Sequence, residues 1–241
     1  MRKCCCLGRR TRMVGVMLFA VCSAGCAMTG TSAYRYTPPV KSSVQNELLV
    51  PRTFDSVWDA LVRELSKSFF VINNIDKASR LINLSFSTDR PEDFIDCGSS
   101  HRTYDREGEH TVYDYQTCAS MNYKIASKGG AFENLAVTQH LNRRTDLEGR
   151  INIVVTPQGE STSVAVNCKY VFSAHLSGSW VAENILGVES QRGTIDPITR
   201  SLSFLTTQSQ SADWGTSAAP NIVTCQSAGK LEKQILDMVH Q

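Results

Sequence analysis

The stretch Phe54-Asp-Ser-Val-Trp-Asp-Ala-Leu-Val-Arg-Glu-Leu-Ser-Lys67, followed directly by the apolar run Phe69–Ile75, indicates the fold most clearly. Its apolar residues recur at the spacing of one helical face, and charged residues occupy the other face. Thr53 stands where an N-cap is expected, and Asp55 lies in the first turn, where a negative charge is favoured. The sequence therefore predicts an amphipathic helix over 54–67.

Alternation of apolar and polar residues after this helix predicts antiparallel strands. Phe69–Ile75 and 80–87 form one predicted hairpin around a turn led by Asp76. Similar alternation predicts a second hairpin, 151–155 with 164–172, around a turn at 157–159. The other predicted elements are strands at 135–141 and 201–207, a short helix at 180–186 and a closing helix at about 228–240, capped by Ser227.

This order of elements predicts an α+β fold for a single domain over 47–241. We expect an antiparallel sheet with the N-terminal and C-terminal amphipathic helices packed on one face. Residues 88–130 are rich in Asp, His, Tyr, Gly and Ser, and are predicted to be a disulfide-tied insertion. Residues 26–46 are rich in Ser, Thr and Pro without an apolar period, which predicts a flexible tether.

The first 25 residues have the parts of a secretory signal: a basic start, a short apolar run and small residues before Cys26. The apolar run is shorter than the roughly 20 residues that span a bilayer. Ser23-Ala24-Gly25-Cys26 resembles the bacterial lipobox, although Ser23 stands where that family usually has Leu. The resemblance implies a lipid on Cys26, and Ala27 in place of Asp implies the outer membrane, periplasmic side. An ordinary secreted protein cut near Ala24 or Ala27 is the alternative.

The charge balance changes when the signal is removed. The leader holds five of the 25 Lys and Arg residues and none of the 23 Asp and Glu residues, so 20 basic side chains face 23 acidic ones, a net charge of −3. This slightly acidic chain without charge runs predicts no nucleic-acid partner. The predicted partners are the membrane, through the N-terminal lipid, and a protein of the cell envelope.

Four cysteines remain after the leader and the lipid-bearing Cys26: Cys97, Cys118, Cys168 and Cys225. An even number in an oxidising compartment indicates two disulfides, and four cysteines allow three pairings. We favour Cys97–Cys118, which would close the insertion, and Cys168–Cys225, which would pin the last helix to the sheet.

Three kinds of chemistry are weighed against structural explanations. Cys97, His101, His110 and Cys118 offer zinc ligands, but their spacing matches no compact zinc finger. His175 and Asp213 could act with a serine as a hydrolase triad, but the sequence lacks the G-x-S-x-G motif that presents such a serine. The acidic residues of the insertion are better explained as a solvated loop edge than as a glycosidase pair; they are Glu92, Asp93, Asp105, Glu107 and Glu109. We therefore predict no catalytic residue, metal or cofactor.

The insertion also supplies the best candidate for partner binding. Tyrosine and arginine are favoured at protein interfaces. The candidate residues are Tyr104, Arg106, Tyr113 and Tyr115.

The order of a Trp-bearing helix, a strand, an Asp-led turn, further strands and a terminal helix resembles the helix-grip domains of periplasmic lipoproteins. The BamC-type subunit of the outer-membrane β-barrel assembly machinery is an example. The residues that carry this resemblance are Phe54, Val57, Trp58, Leu61, Phe70-Val-Ile72 and Arg80-Leu-Ile-Asn83. It implies a non-enzymatic accessory or scaffold subunit of an envelope complex. The alternatives are a carrier that holds an apolar ligand between sheet and helix, and a cell-wall hydrolase.

Overall fold

The computed structural model describes residues 30–128, 135–184, 187–215 and 221–240, and most of them lie in β-strands. Strands account for 62% of the structure and helices for 13%. The predicted α+β fold is therefore wrong: thirteen strands and only two short α-helices are found within the described ranges. The prediction failed because most of the described residues in 88–128 and 173–200 lie in strands whose alternation is carried largely by polar residues. None of the helices described is long and apolar enough to cross a membrane.

The centre of the molecule is one long antiparallel hairpin. Its strands, β9 (Ala136–Gln158) and β10 (Ser161–Glu183), have 23 residues each and meet at the turn Gly159-Glu160. Gly159 adopts φ 61°, which a residue without Cβ accepts at little cost. Alternate residues along most of both strands are buried, as the two-residue period of a strand requires. The predicted hairpin at 151–172 is confirmed and extended. The helix predicted at 180–186 is wrong, because β10 continues to Glu183; residues 185–186 lie outside the described residues.

The remaining strands of this seven-stranded sheet divide the hairpin into two halves. The sheet order is β11-β10-β9-β4-β3, with β2 also paired to β10 and β8 to β9. β4 pairs with residues 147–154 of β9, whereas β8 pairs with residues 136–143. We call 147–172 the helix-covered half, and 136–146 with 173–183 the tyrosine half. The bounds are β2 Glu47–Val50, β3 Val71–Asp76, β4 Leu81–Thr88, β8 Met121–Lys128 and β11 Glu189–Leu205.

Two smaller sheets contain strands from the segments that were predicted to be a tether and an insertion. One has the order β1-β6-β7, and the other has the order β12-β13-β5. β1 lies inside the predicted tether at 26–46, so residues 31–37 are not a flexible linker. The predicted insertion at 88–130 contains four strands, β5 to β8, rather than a loop. The bounds are β1 Thr31–Thr37, β5 Ile95–Asp96, β6 Ser99–Arg106, β7 Glu109–Gln116, β12 Gln210–Asp213 and β13 Ile222–Ser227.

Helix α1 (Phe54–Leu65) confirms the helix predicted from residue 54 and ends two residues earlier. The centre of its apolar stripe is fully buried, with Val57 and Leu61 0% exposed, and Phe54 and Val62 at the margins are partly buried. These side chains join the same apolar core as Ile82 of β4 and Ile151 of β9. Each such burial contributes about 1.5–3 kcal/mol. The stripe could be recognised in the sequence because the residues that are buried are apolar and recur at helical spacing.

Helix α2 (Lys230–Asp237) is shorter than predicted, and a single 3₁₀ turn, Met238–His240, follows it. Its N-cap is Gly229, with φ 75°, rather than Ser227. Ser227 instead donates a hydrogen bond to the fully buried Glu232 carboxylate at 3.0 Å. Tyr170 Oη and Thr206 Oγ1 also donate to Glu232, each at 2.8 Å. This network of hydroxyl donors fixes the start of α2 against β10 and the end of β11.

One disulfide, Cys97–Cys225, joins the segment between β5 and β6 to β13 across 128 residues. The predicted pairs Cys97–Cys118 and Cys168–Cys225 are therefore wrong, and both Cys118 and Cys168 are buried free thiols. The β6–β7 register extends to a bond from Thr117 N–H to Gly98 O at 2.9 Å, which brings Cys118 beside Cys97. Proximity was thus foreseen correctly, but the sulfur of Cys97 is bonded to β13. Burial raises the pKa of the Cys118 thiol to about 11, so it stays protonated near neutral pH.

Candidate partner-binding surfaces

Two of the four predicted partner-binding residues are buried between sheets. Tyr104 is 4% exposed and Arg106 is 7% exposed. Arg106 bonds to Thr138 of β9 and pairs with Glu183 of β10, and Tyr104 Oη lies 3.4 Å from the Thr138 hydroxyl. Tyr104 and Arg106 therefore hold the β1-β6-β7 sheet against the tyrosine half and lack the exposure that contact with a partner requires.

The other two predicted residues, Tyr113 and Tyr115, lie on β7 and are half-buried. Tyr113 Oη accepts a hydrogen bond from the Lys124 N–H at 3.2 Å, which joins β7 to β8. The ring of Tyr115 is stacked on that of Tyr123 with centroids 6.3 Å apart. Tyr113 lines a groove described below and keeps a place at the candidate surface, whereas Tyr115 lines neither groove described on this half.

Arg102, which sequence reasoning missed, forms the centre of this interface. Its guanidinium lies 4.0 Å from the ring centroid of Tyr34 and 4.6 Å from that of Tyr123. Its Nε donates to Tyr115 Oη at 3.0 Å. We call these four residues, from β1, β6, β7 and β8, the Tyr–Arg stack. Cation–π contacts of this kind contribute about 0.5–2 kcal/mol each, and burial raises the pKa of Tyr123.

Arg143 is a buried arginine of β9, 8% exposed. Its guanidinium donates to the carbonyl oxygen of Ala119 at 2.8 Å and also to that of Thr117. Burial lowers the pKa of this guanidinium because the charged form loses hydration. Arg143 thus satisfies backbone carbonyls at the β7–β8 turn, which is a structural role on the tyrosine half.

Two adjoining grooves, of about 380 and 430 Å³, cross the surface of the tyrosine half and share Lys124 and His140. Tyr113 and Leu141 line the first groove, with two asparagine side chains. The second groove is charged, with four glutamates facing Arg106 and Lys124. The ammonium of Lys124 already bonds to Glu109 at 2.8 Å, which lowers the pKa of that carboxyl. The grooves have the size of small-molecule sites but hold ion pairs that are already satisfied.

An apolar patch on the helix-covered half was not predicted as a site. Phe69 is 54% exposed and Val71 is 59% exposed. The Phe69 ring packs on that of Phe70 at 4.3 Å, so part of it is fixed in place. Val71 and Phe86 border a groove of about 540 Å³ that continues to Arg150 of β9. We call Phe69 and Val71 the phenylalanine patch, an exposed apolar surface of the kind used for association.

The residues weighed as zinc ligands are engaged elsewhere. Cys97 is in the disulfide, and Cys118 donates to the carbonyl oxygen of Ile95 at 3.6 Å. His101 Nδ1 lies 2.7 Å from Asp114, and His110 pairs with Asp105. In the part of the chain that the structure describes, no three His, Cys, Asp or Glu residues are placed to hold a metal ion.

His175 and Asp213 do not form the catalytic relay considered above, because each is bonded to other groups. Asp213 accepts backbone N–H bonds from Gly215 and Asn221 at 2.8 and 2.9 Å, which lower its pKa. His175 Nε2 instead lies 2.6 Å from Asp146, and its Nδ1 lies 3.0 Å from Thr199 Oγ1. These three side chains follow each other across β9, β10 and β11. The His175 side chain is 48% exposed on an open sheet face, where water competes for each of these bonds and no enclosed site shields a reaction.

The acidic residues of the former insertion are mostly paired with basic partners rather than with each other. Asp93 pairs with Arg90 at 3.0 Å, Glu107 with Arg106 at 2.9 Å, and Glu109 with Lys124. Glu92 Oε2 is buried without a hydrogen-bond partner. This arrangement does not resemble two carboxylates facing a sugar across a cleft.

No known family, curated protein or solved structure matches this chain.

Proposed function

We propose that this chain is an outer-membrane-anchored periplasmic lipoprotein that acts as a non-enzymatic accessory or scaffold subunit of a cell-envelope complex. The leader sequence up to Cys26 supports the export to the periplasm and the lipid anchor in this proposal. The observation that carries the scaffold role is the phenylalanine patch, where Phe69 and Val71 are both more than half exposed. Val71 lines a groove, and the Phe69 ring lies 6.4 Å from that of Phe86, which lines it too. Exposed apolar patches mark sites of association, and aromatic side chains are enriched at protein interfaces.

The two alternatives have less support from the geometry. A carrier needs open space between helix and sheet, but this layer is filled: Leu61 of α1, Ile151 of β9 and Ile235 of α2 are all 0% exposed. A hydrolase needs an enclosed nucleophile, but the arrangement of Asp146, His175 and Thr199 lies on an open sheet face.

Fractionation of cells that express Cys26→Ala tests the anchor. We expect the wild-type protein in the outer-membrane fraction and the variant in the soluble periplasmic fraction, because the variant lacks the acylated thiol. An unchanged membrane fraction for Cys26→Ala would show that the lipid does not hold the protein there.

Purification from crosslinked membranes tests the scaffold role. We expect a stoichiometric protein partner that is lost when Phe69→Ser and Val71→Ser are combined. Val112→Ser is the matched control, because Val112 is an exposed β-branched residue (45%) on β7, in the other sheet. A partner retained by the double variant, or a co-purifying lipid without any protein partner, would contradict the proposal; the second result favours the carrier.

A further inference from the structure

The chain enters the fold at one end of the tyrosine half. Gly30 lies against Ala126 of β8 and Arg106 of β6, so closely that a Cβ on Gly30 would be 2.6 Å from the Cβ of Ala126. Thr31, the first residue of β1, pairs with Asp105 of β6. The start of β1 is therefore fixed at the same end as the β6–β7 turn.

Several other strands terminate at this end. β8 finishes where Lys128 pairs with Ala136, the first residue of β9. Ala136 pairs in turn with Glu183, the last residue of β10, and Glu183 pairs with Glu189, the first residue of β11. We call this end the tip, and its described surface includes Thr31, Val188 and the β6–β7 turn Glu107-Gly108.

The length of chain before β1 limits how far the tip can lie from a lipid on Cys26. Only five residue steps separate Cys26 from Thr31. At about 3.3–3.6 Å per extended residue they reach at most about 18 Å. A domain anchored through Cys26 is therefore held with its tip close to the bilayer.

The surface chemistry of the tip suits a membrane of low net charge. Val188 is 57% exposed and apolar. Three cations offset most of the charge of the four glutamates around it: Glu107 and Glu183 share Arg106, Glu109 pairs with Lys124, and Glu189 pairs with Arg192. Paired carboxylates repel lipid phosphates less than free ones, and an exposed valine gains from contact with the interfacial region.

We infer that the tip is a membrane-docking surface whose occupant is a zwitterionic phospholipid bilayer, contacted by Val188 and by the β6–β7 turn. This inference rests on the proposed lipid anchor and adds an orientation to it. The Gly159-Glu160 turn of the central hairpin then points away from the membrane. The phenylalanine patch remains accessible to a protein partner, because Val71 aligns through Ser85 with Arg150 of β9, well away from the tip.

Fluorescence quenching in vesicles tests this orientation with the mature, lipidated chain. Val188→Cys is labelled with an environment-sensitive thiol probe, and vesicles of phosphatidylethanolamine and phosphatidylcholine carry a spin label on the headgroup. The native thiols of Cys118 and Cys168 are 0% and 1% exposed, so the probe reacts at the new site. Ile75→Cys is the matched control: Ile75 is also exposed (39%) and aligns through Ile82 with Ile153, roughly 55 Å along β9 from Ala136.

We expect the protein to float with the vesicles and the probe at residue 188 to be quenched several-fold more than the probe at residue 75. Flotation with equal quenching at both sites, or with stronger quenching at residue 75, would overturn the docking surface and leave the lipid anchor intact. Failure of the mature chain to float at all would overturn the anchor, and the inference with it. Glu160→Cys, at the far turn, gives a second unquenched reference that does not depend on β3.

Discussion

The two halves of the central hairpin have the same backbone geometry but are stabilised differently. In the helix-covered half, Leu147, Ile151 and Ile153 point inward and are 0% exposed beneath the helices. In the tyrosine half the same face of β9 continues with Arg143 and Thr145, which are buried as well but whose side chains are bonded to the β7–β8 turn. The strand therefore passes from apolar packing to hydrogen bonds and cation–π contacts without any break in pairing.

This difference shows what each kind of packing requires. An apolar core gains free energy from burial in almost any close arrangement, about 25 cal/mol for each Å² of apolar surface. A polar interface is stable only when each buried group finds a partner, because an unpaired one costs about 1–3 kcal/mol. The helix-covered half should therefore dominate the global stability, and the tyrosine half should be sensitive to the geometry of single side chains.

The largest expected effect comes from the covalent link between the β5–β6 segment and β13. Replacing both cysteines of the Cys97–Cys225 bond by Ala should lower the free energy of unfolding by about 4–5 kcal/mol, because the bond closes a segment of 128 residues. Urea unfolding measures the loss. Cys118→Ala, at the neighbouring buried thiol, is the control and should cost less than the double variant. Equal losses would mean that packing around the cysteines, rather than the bond, supplies the stability.

The second prediction compares the halves directly. Ile153→Ala should lower the free energy of unfolding by about 3–4 kcal/mol, since it leaves a cavity in the helix-covered core. Leu141→Ala, on the tyrosine half, should cost about 2 kcal/mol, the low end for a buried leucine, because Leu141 borders a surface groove that solvent can enter. Chemical denaturation of both variants provides the test. A larger loss for Leu141→Ala would reverse the assignment of the core.

Sequence reasoning succeeded where burial is apolar and failed where it is polar. The stripe Val57, Leu61, Leu65 and the alternation of Ile151 with Ile153 mark α1 and the helix-covered half, because each inward residue is apolar. Arg102, Tyr104 and Arg106 also occupy alternate positions of β6, but with polar side chains, so the segment resembled a solvated loop.

Two parts of the candidate sites illustrate the same limit. Tyr113 and Tyr115 were identified from residue type, and of the two Tyr113 does border a groove. The stacking of Arg102 between Tyr34 and Tyr123 depends on β1, and β1 was hidden in a Ser-, Thr- and Pro-rich stretch that composition alone assigns to a tether. Pairing between strands distant in the sequence is what composition and spacing do not contain.

The third prediction concerns the Tyr–Arg stack. Arg102→Leu should lower the free energy of unfolding by about 1–3 kcal/mol, since it removes two cation–π contacts and the bond to Tyr115. Arg102→Lys keeps the charge but loses the planar group, and should recover only part of the loss. Hydrogen exchange should show faster exchange of β1, β6 and β7 than of β4. Uniform acceleration across both halves would show that the tyrosine half does not open on its own.

The effect expected to be smallest at neutral pH is a dependence of stability on alkaline pH. The pKa of the Cys118 thiol is about 11 in the fold, above its ordinary value of 9.0, so between these values the unfolded chain loses a proton that the folded chain keeps. Stability is therefore unaffected by this group below about pH 9 and falls as the pH rises toward 11, by about 1.4 kcal/mol for each pH unit. In Cys118→Ala the free energy of unfolding should fall less steeply between pH 9 and 11, by the slope that corresponds to about one proton. An identical pH profile would contradict the burial of this thiol.

The central claim is that residues 88–130 belong to the body of the protein and are bonded to it through Cys97. Peptide mapping of the native protein without reduction, after blocking of free thiols under denaturing conditions, tests it most directly. The fold predicts one crosslinked peptide pair, Cys97 with Cys225, and blocked thiols at Cys118 and Cys168. A Cys97–Cys118 crosslink with Cys225 free would contradict it and return residues 88–130 to a self-closed insertion.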